Sequence, residues 1–496
     1  MTTKRSVQRA LLCLVAGLVF TLGLSPYDLK LASIASVGCL FLAIQGQSWR
    51  RGAFLGWIYG VGFFGAGVSW VYVSIHIYGQ APSGLAAALT AVFCGGLALL
   101  TGIQAALFCA VQPRDALSRV ALFTALWVVF EWVRTWFLTG FPWLFIGYAA
   151  IDTPIEGWAP AVGVFGVSLI LVSTACAMAE ALNAKTRRSV VYLGSWLLVI
   201  LGGGFLMTTV EWTQKVGAEN SVAIYQPNIA IEENWDRRNA QRFLNDFYDH
   251  AETHAALADL VVWPEGALPF YFDQAPGYIT QLRELATENG ATIVTGMPTR
   301  AAGQRFNSIV AIGDDLETYN KQKLVPFGEF VPWESQLRGL ISFFDMPMSN
   351  FSVGDSRHQP LTTVAGPLAP FICYEIVYPD FVAQGSKDSN ILITISNDAW
   401  FGTSHGPHQH FQMARYRALE LQKPLVRGAN NGITALVDFN GDVAAQLPQF
   451  EQDTLRAQVQ PRTGLTPYAQ LGNWPVLLIS LLFLAFVIIK AQRHRR

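Results

Sequence analysis

Seven stretches of about 20 mostly apolar residues fill the first 212 positions of this chain, at about 10–26, 29–46, 53–77, 84–111, 119–138, 158–182 and 189–209, and an eighth lies at about 473–490. A helix needs about 20 such residues to cross the hydrocarbon of a bilayer, so these stretches predict a polytopic bundle. Composition agrees: 52% of the 496 residues are hydrophobic and 14% charged, too apolar for a soluble protein of this length. The basic start, Met1 to Arg9, also fits a signal peptide. More spans follow it, however, and Gly23-Leu24-Ser25-Pro26 is a poor cleavage site, so it reads as a retained first helix.

Lys and Arg accumulate in cytoplasmic loops, and here they occur in every second loop. Lys4, Arg5 and Arg9 precede the first span, Arg50 and Arg51 follow the second, Arg114 and Arg119 the fourth, and Lys185, Arg187 and Arg188 the sixth. The tail after the eighth carries Lys490, Arg493, Arg495 and Arg496, whereas 140–157, with Asp152 and Glu156, carries none. Both termini are expected in the cytoplasm. An odd number of spans then precedes the polar region 213–464, which is expected outside it. The expected organisation is a membrane bundle over 1–212, an extracytoplasmic domain over 213–464, and a last helix with a basic tail over 465–496. Net charge is −1, with no basic face interleaved with aromatics, so no nucleic-acid partner is expected.

Within 213–464, short β-branched runs alternate with helical patterns. The runs are Ser221–Tyr225, Asp259–Trp263, Ala291–Thr295, Ser308–Ile312, Asn390–Ile395 and Thr434–Asp438, which predicts an α/β layered domain. Five cysteines fall in or beside the apolar spans, leaving Cys373 alone in the polar region without a disulfide partner. It follows the apolar run Leu368–Ile372 and precedes Tyr374-Glu375, so it sits where a strand opens into a polar turn. A thiol with an ordinary pKa near 8.5 needs a base or a cation beside it to attack at neutral pH. His405, His408 and His410 cluster, but no Cys or acidic ligand lies at a zinc-like spacing, so no metal is expected.

Trp263-Pro264-Glu265, then Tyr319-Asn320-Lys321 running into Leu324–Glu329, then Cys373-Tyr374-Glu375 resemble the Glu, Lys, Cys triad of the nitrilase superfamily. Ser396–Gly402 and Asn430–Ile433 add to the match. A nitrilase-like domain placed before the last helix of a bundle resembles the apolipoprotein N-acyltransferase family, as do Gly67–Tyr72 and Gly140–Trp143. The resemblance implies an αββα sandwich on a bundle of about eight transmembrane helices. It also implies catalytic roles for Glu265, Lys321 and Cys373, supporting roles for Glu329, Glu375 and Tyr374, and substrate contacts at Trp235, Asn307, Trp143 and Trp400. The implied reaction moves an acyl chain from a phosphatidylethanolamine-like phospholipid to the α-amine of a diacylglyceryl-apolipoprotein, without cofactor, at the bacterial inner membrane. Soluble nitrilases commonly have His where this chain has Lys323, which makes Lys323 a rival cation. Two other readings remain: a membrane-anchored amidase or nitrile hydrolase with the same triad, and a transporter bundle with a binding domain.

Loop charge and span parity give a first test. A cysteine introduced at an exposed position in 240–256 is expected to react with a membrane-impermeant thiol reagent in intact spheroplasts, and one at position 186 to stay unlabelled. Labelling of both, or of the second alone, overturns the orientation.

Overall fold

The computed structural model describes residues 2–184, 186–230, 233, 237–268, 270–332, 350–355, 357 and 359–493. The chain divides into two compact units. One comprises 1–72, 82–210 and 470–496; the other comprises Val73–Ala81 and Glu211–Ala469.

Among the described residues, the first unit contains helices at Thr2–Phe20, Leu31–Ile44, Trp49–Val68, Ser83–Val111, Ala116–Val133, Ala159–Ala184, Arg187–Met207 and Trp474–Arg493. Among the described residues, six helical stretches are long and apolar enough to cross a membrane, and a seventh joins them if Trp49–Val68 and Val71–Tyr78 are one bent span. The continuous helix expected over 53–77 is therefore broken. Gly65 and Gly67 stand in the turn before the break, where they weaken helix propensity. Leu31–Ile44 has 14 residues, a length of about 21 Å at the α-helical rise, short of the roughly 30 Å of a hydrocarbon core.

Close helix packing rests on small residues. Gly56 faces the helix Ser83–Val111 so closely that a Cβ would lie 2.5 Å from the Thr101 carbonyl oxygen, and the Thr101 hydroxyl donates to the Gly56 carbonyl at 2.9 Å. After Val133 the backbone leaves the helix and runs through short turns to Trp158. Buried irregular backbone persists only where protein groups satisfy its hydrogen bonds. Here Glu131 Oε1 accepts from the Trp127 indole and the Ile146 N–H, both at 2.9 Å, while Arg134 donates to the Trp143 carbonyl at 2.8 Å. The two charges lie 3.8 Å apart, so they offset each other and also pin this turn.

In the second unit, the strands are β1 (Gln214–Lys215), β2 (Asn220–Gln226), β3 (Leu260–Val262), β4 (Thr292–Ala301), β5 (Gln304–Ile312), β6 (Leu316–Asn320), β7 (Leu368–Ile372), β8 (Ile391–Ser396), β9 (Leu425–Ala429), β10 (Ala435–Val437), β11 (Val443–Gln446), β12 (Asp453–Val459) and β13 (Arg462–Thr463). One sheet has the order β12-β2-β3-β4-β5-β6 and another β11-β10-β9-β8-β7, with β1 and β13 paired separately. The two-residue period of a strand sets the layers. Val222, Ile224, Leu260 and Val262 point to one face and pack against Leu368, Ile372, Ile393, Ile395 and Val426 of the other sheet. Their neighbours Tyr225, Val261 and Trp263 point outward onto Phe243, Phe247, Ile279 and Leu282 of the helices Ala240–Ala255 and Pro276–Asn289. On the far sheet, Phe371 meets Phe381 of the helix Pro379–Gly385, completing an αββα sandwich.

One histidine in this outer layer is held neutral. His250 Nδ1 accepts from the Trp263 indole at 3.1 Å, and its ring stacks between Tyr225 at 4.3 Å and His254 at 4.2 Å. Burial, then His254 and Arg456, pushes its pKa down from the ordinary 6.5 to about 3. Between those values the unfolded chain binds the proton and the folded chain does not, so stability is complete above about pH 6.5 and falls as pH drops toward 3. The loss amounts to about 1.4 kcal/mol per pH unit at most. The unfolding midpoint of the wild type is expected to fall from pH 7.5 to pH 5, and that of His250→Gln to fall much less. Parallel pH dependence in the two proteins refutes the assignment.

Candidate active site

Parallel strands deliver side chains from their carboxyl ends to one edge of a sandwich. The β2-β3-β4 and β7-β8-β9 runs are parallel. Glu265 follows β3, Cys373 follows β7, and Asn397 with Asp398 follows β8. Lys321 follows β6, whose antiparallel pairing with β5 sets Asn307 one residue beyond the Ser308↔Asn320 pair, and the Lys321 N–H donates to the Asn307 carbonyl at 2.8 Å. Gly296 on β4 permits this convergence, because a Cβ there would lie 2.7 Å from the Glu265 Cα.

The Lys321 ammonium is 1% exposed and donates to Glu329 Oε1 at 2.9 Å and Glu265 Oε1 at 3.2 Å. Burial disfavours its charge, but Glu265, Glu329 and Cys373 together hold its pKa above the ordinary lysine range. Asn307 donates one amide hydrogen to Glu265 at 2.8 Å and the other to Glu329 at 2.7 Å. Both of its donors are thus engaged in holding carboxylates, so it acts as a strut between them. Glu265 Oε2 accepts the Asn397 backbone N–H at 3.0 Å, and Glu329 Oε2 accepts that of Val325 at 2.7 Å.

Cys373 has φ of +49°, a left-handed conformation that costs a residue with a Cβ about 1–2 kcal/mol. Its thiol is pushed well above the ordinary range, first by burial and next by Glu265, with Lys321 pulling the other way. Lys321 does pull the thiol toward the thiolate, as an adjacent cation does, but burial, Glu265 and Asp398 outweigh it. Glu375 is fully buried and links the two halves of the cluster. Its Oε2 accepts the Ile372 N–H at 2.8 Å, just before Cys373. Its Oε1 accepts the N–H groups of Gln322 at 2.6 Å and Lys323 at 3.1 Å, just after Lys321. The Tyr319 hydroxyl also donates to Oε1 at 2.9 Å, and burial raises the carboxyl to about 7.

The other residues singled out from the sequence have the following surroundings. Tyr374 is buried with its ring 5.3 Å from Tyr378. Lys323 is exposed, over the rings of Tyr378 at 5.4 Å and Phe381 at 5.6 Å, and takes no part in the ammonium–carboxylate cluster. Trp400 is half-buried. Its carbonyl accepts from Ser74 at 2.8 Å and its ring lies 5.7 Å from Tyr78. Trp143 belongs to the helical unit, fully buried between Trp70 at 5.3 Å and Phe141 at 5.5 Å. Trp235 lies outside the described residues.

Sequence reasoning named Ser396–Gly402 and His410 but gave no role to Asn397, whose backbone holds the carboxylate of Glu265, and did not join Asp398 and His410 to Arg427 in the buried set behind Cys373. The Ser396-Asn397-Asp398 signal was visible. Its link to positions 410 and 427 was not, because those lie on a later helix and strand.

Residues 16–177 match the family model described as the apolipoprotein N-acyltransferase N-terminal domain, and 221–468 match that of the carbon-nitrogen hydrolases. Apolipoprotein N-acyltransferases of Pseudomonas aeruginosa and Pseudomonas syringae pv. tomato are each 41% identical over 97% of this chain, covering 96% and 97% of their own lengths. That of Vibrio vulnificus is 38% identical over 97% of this chain and 96% of its own length. Among solved structures, a carbon-nitrogen hydrolase superfamily protein of Xanthomonas campestris is similar to 53% of this chain over 97% of its own, at 16% identity and a TM-score of 0.39. Full-length identity of this order, spanning both the helical and the carbon-nitrogen hydrolase regions, makes this chain a membrane acyltransferase of the apolipoprotein N-acyltransferase family.

Proposed function

We propose that Cys373 is the nucleophile, Glu265 the general base and acid, and Lys321 the oxyanion donor of a two-step transfer through a thioester. The observation that carries this reading is the buried Lys321 ammonium, held 3.2 Å from Glu265 and electrostatically coupled to a thiol that is protonated at rest. A protonated thiol requires a base at the moment of attack. Glu265 takes the sulfur's proton as the S–C bond forms at the ester carbonyl of a membrane phospholipid, and Lys321 donates to the developing oxyanion. When the C–O bond breaks, Glu265 returns the proton to the leaving lysophospholipid. The α-amine of a diacylglyceryl-cysteine then attacks the thioester, Glu265 accepts its proton, and the thiol leaves with that proton as the amide forms.

The name borne by the relatives supports an apolipoprotein acceptor, and the donor in this proposal is a phosphatidylethanolamine-like phospholipid. The alternation of basic loops supports an inner-membrane chain with cytoplasmic termini and residues 213–464 on the periplasmic side. The division of the chain near Val210 and Ala469 fits that domain organisation. Glu375, bonded to backbone on both sides of the cluster, acts as a positioning residue.

Transfer and hydrolysis differ without acceptor. The wild type is expected to release one equivalent of lysophospholipid, accumulate one acyl adduct on Cys373 by intact mass, and stop until a diacylglyceryl-cysteine peptide is added. Cys373→Ala abolishes adduct and product, and Glu265→Gln loses turnover by about 10²-fold or more without losing phospholipid binding. Steady fatty-acid release without acceptor, at the rate of transfer, sinks this reading in favour of a hydrolase.

A second measurement separates base from electrostatics. Because Glu265 raises the Cys373 thiol and Lys321 lowers it, removing the carboxylate charge should lower the thiol's pKa. Alkylation of Cys373 in the wild type is expected to keep rising beyond pH 10, whereas in Glu265→Gln it should plateau at lower pH. An unchanged or higher midpoint contradicts the assigned electrostatics.

A further inference from the structure

Behind the proposed nucleophile lies a polar set that the two-step mechanism does not use. Asp398, His410 and Arg427 are each no more than 1% exposed. His410 Nε2 lies 3.0 Å from the Cys373 carbonyl oxygen. A carbonyl only accepts, so Nε2 carries the hydrogen and donates. Nδ1 of the same ring lies 3.1 Å from Asp398 Oδ1 and 3.2 Å from an Arg427 nitrogen. Arg427 also donates to Asp398 Oδ2 at 2.7 Å and to the Ile433 carbonyl at 3.0 Å, and the Ser396 hydroxyl donates to Asp398 Oδ1 at 2.5 Å. Burial works against the Asp398 charge, yet Arg427 and His410 keep it below the ordinary carboxylate range. A side chain at Gly432 would collide with the Asp398 carboxylate, so the turn 430–433 is shaped around it.

Stability alone does not account for such a set. Buried charges can often be replaced by apolar side chains of equal volume at no cost or with a gain, and the surrounding sandwich is already apolar. What the set holds is distinctive: the carbonyl of a residue in the left-handed region, gripped by a side chain 37 positions later. A left-handed cysteine at a strand end persists only where the surroundings over-determine it. Glu375 fixes the Ile372 N–H on one side of the residue, and His410 fixes the Cys373 carbonyl on the other.

We propose that His410, braced by Asp398 and Arg427, is a positioning residue for acyl transfer, its Nε2–H holding the Cys373 carbonyl and thereby fixing the backbone that aims the sulfur at the ester. The inference rests on Cys373 being the nucleophile, and its reach is the rate of attack, leaving phospholipid binding unaffected. Gln places its amide nitrogen near the Nε2 position, whereas Asn is too short to reach the carbonyl.

The test uses the full chain in lipid-containing micelles and measures the acyl-adduct rate at Cys373, KM for phospholipid, and the unfolding midpoint. His410→Leu is expected to slow adduct formation about 100-fold, as a misplacement of about 1 Å does, with KM changed less than about twofold. His410→Gln should stay within about fivefold of wild type and His410→Asn should resemble His410→Leu, as only the first keeps a donor at the carbonyl. If His410→Leu does not fold, the Gln and Asn pair decides. Equal rates in those two, whether both fast or both slow, overturn the proposal, as does wild-type speed in His410→Leu. Cys373→Ala in parallel separates the layers: transfer surviving there removes the nucleophile, while its loss beside an unimpaired His410→Leu removes only the role of His410.

Discussion

A lysine ammonium taken out of water must find its hydrogen bonds in the protein, or burial costs several kcal/mol. Lys321, 1% exposed, imposes that demand on the whole edge of the sandwich. Two carboxylates answer it, which creates a second demand, since Glu265 and Glu329 repel each other across the same cation. Asn307 meets this by donating one hydrogen to each, and the backbone N–H groups of Asn397 and Val325 take their outer oxygens. Strand ends from both sheets must therefore arrive together. The close approach at Gly296 and the bridging by Glu375 follow from that one requirement.

The same arrangement decides how the thiol behaves. Sulfur beside an ammonium is commonly read as a ready thiolate, but that ammonium is already shared between carboxylates and the site is buried, so the net influence on Cys373 is upward. A nucleophile that keeps its proton until a base is aligned is protected from adventitious alkylation and oxidation, which require thiolate character.

The members of the Glu265, Lys321 and Cys373 cluster were legible because they stand in short contiguous motifs, each just past a strand. Trp263-Pro264-Glu265, Tyr319-Asn320-Lys321 and the Cys373 turn needed only order and spacing to be recognised. What could not be read were interactions whose partners are far apart in sequence. Asn307 as a strut depends on the β5–β6 register, and the His410 grip joins a helix to a strand end 37 residues earlier. The net direction of the thiol's shift needed burial, which no motif states. In the helical unit, hydropathy located the apolar stretches but not the break after Val68 or the 14-residue length of Leu31–Ile44, because mean hydropathy is blind to where a helix bends or stops.

Residues Val73–Ala81 belong to the catalytic unit although the rest of that unit begins at Glu211. Ser74 donates to the carbonyl of Trp400, a partner 326 residues further along the chain. At about 5–20 residues per second, a ribosome needs roughly 15 to 65 seconds to make that partner after Ser74 has emerged. The first piece of the catalytic unit is thus translated early and waits while the long helices Ser83–Val111, Ala116–Val133, Ala159–Ala184 and Arg187–Met207 are synthesised. A polypeptide begun at residue 211 would omit this piece and leave the Trp400 carbonyl without its serine donor, so it would not be an independent copy of the unit as the whole chain builds it.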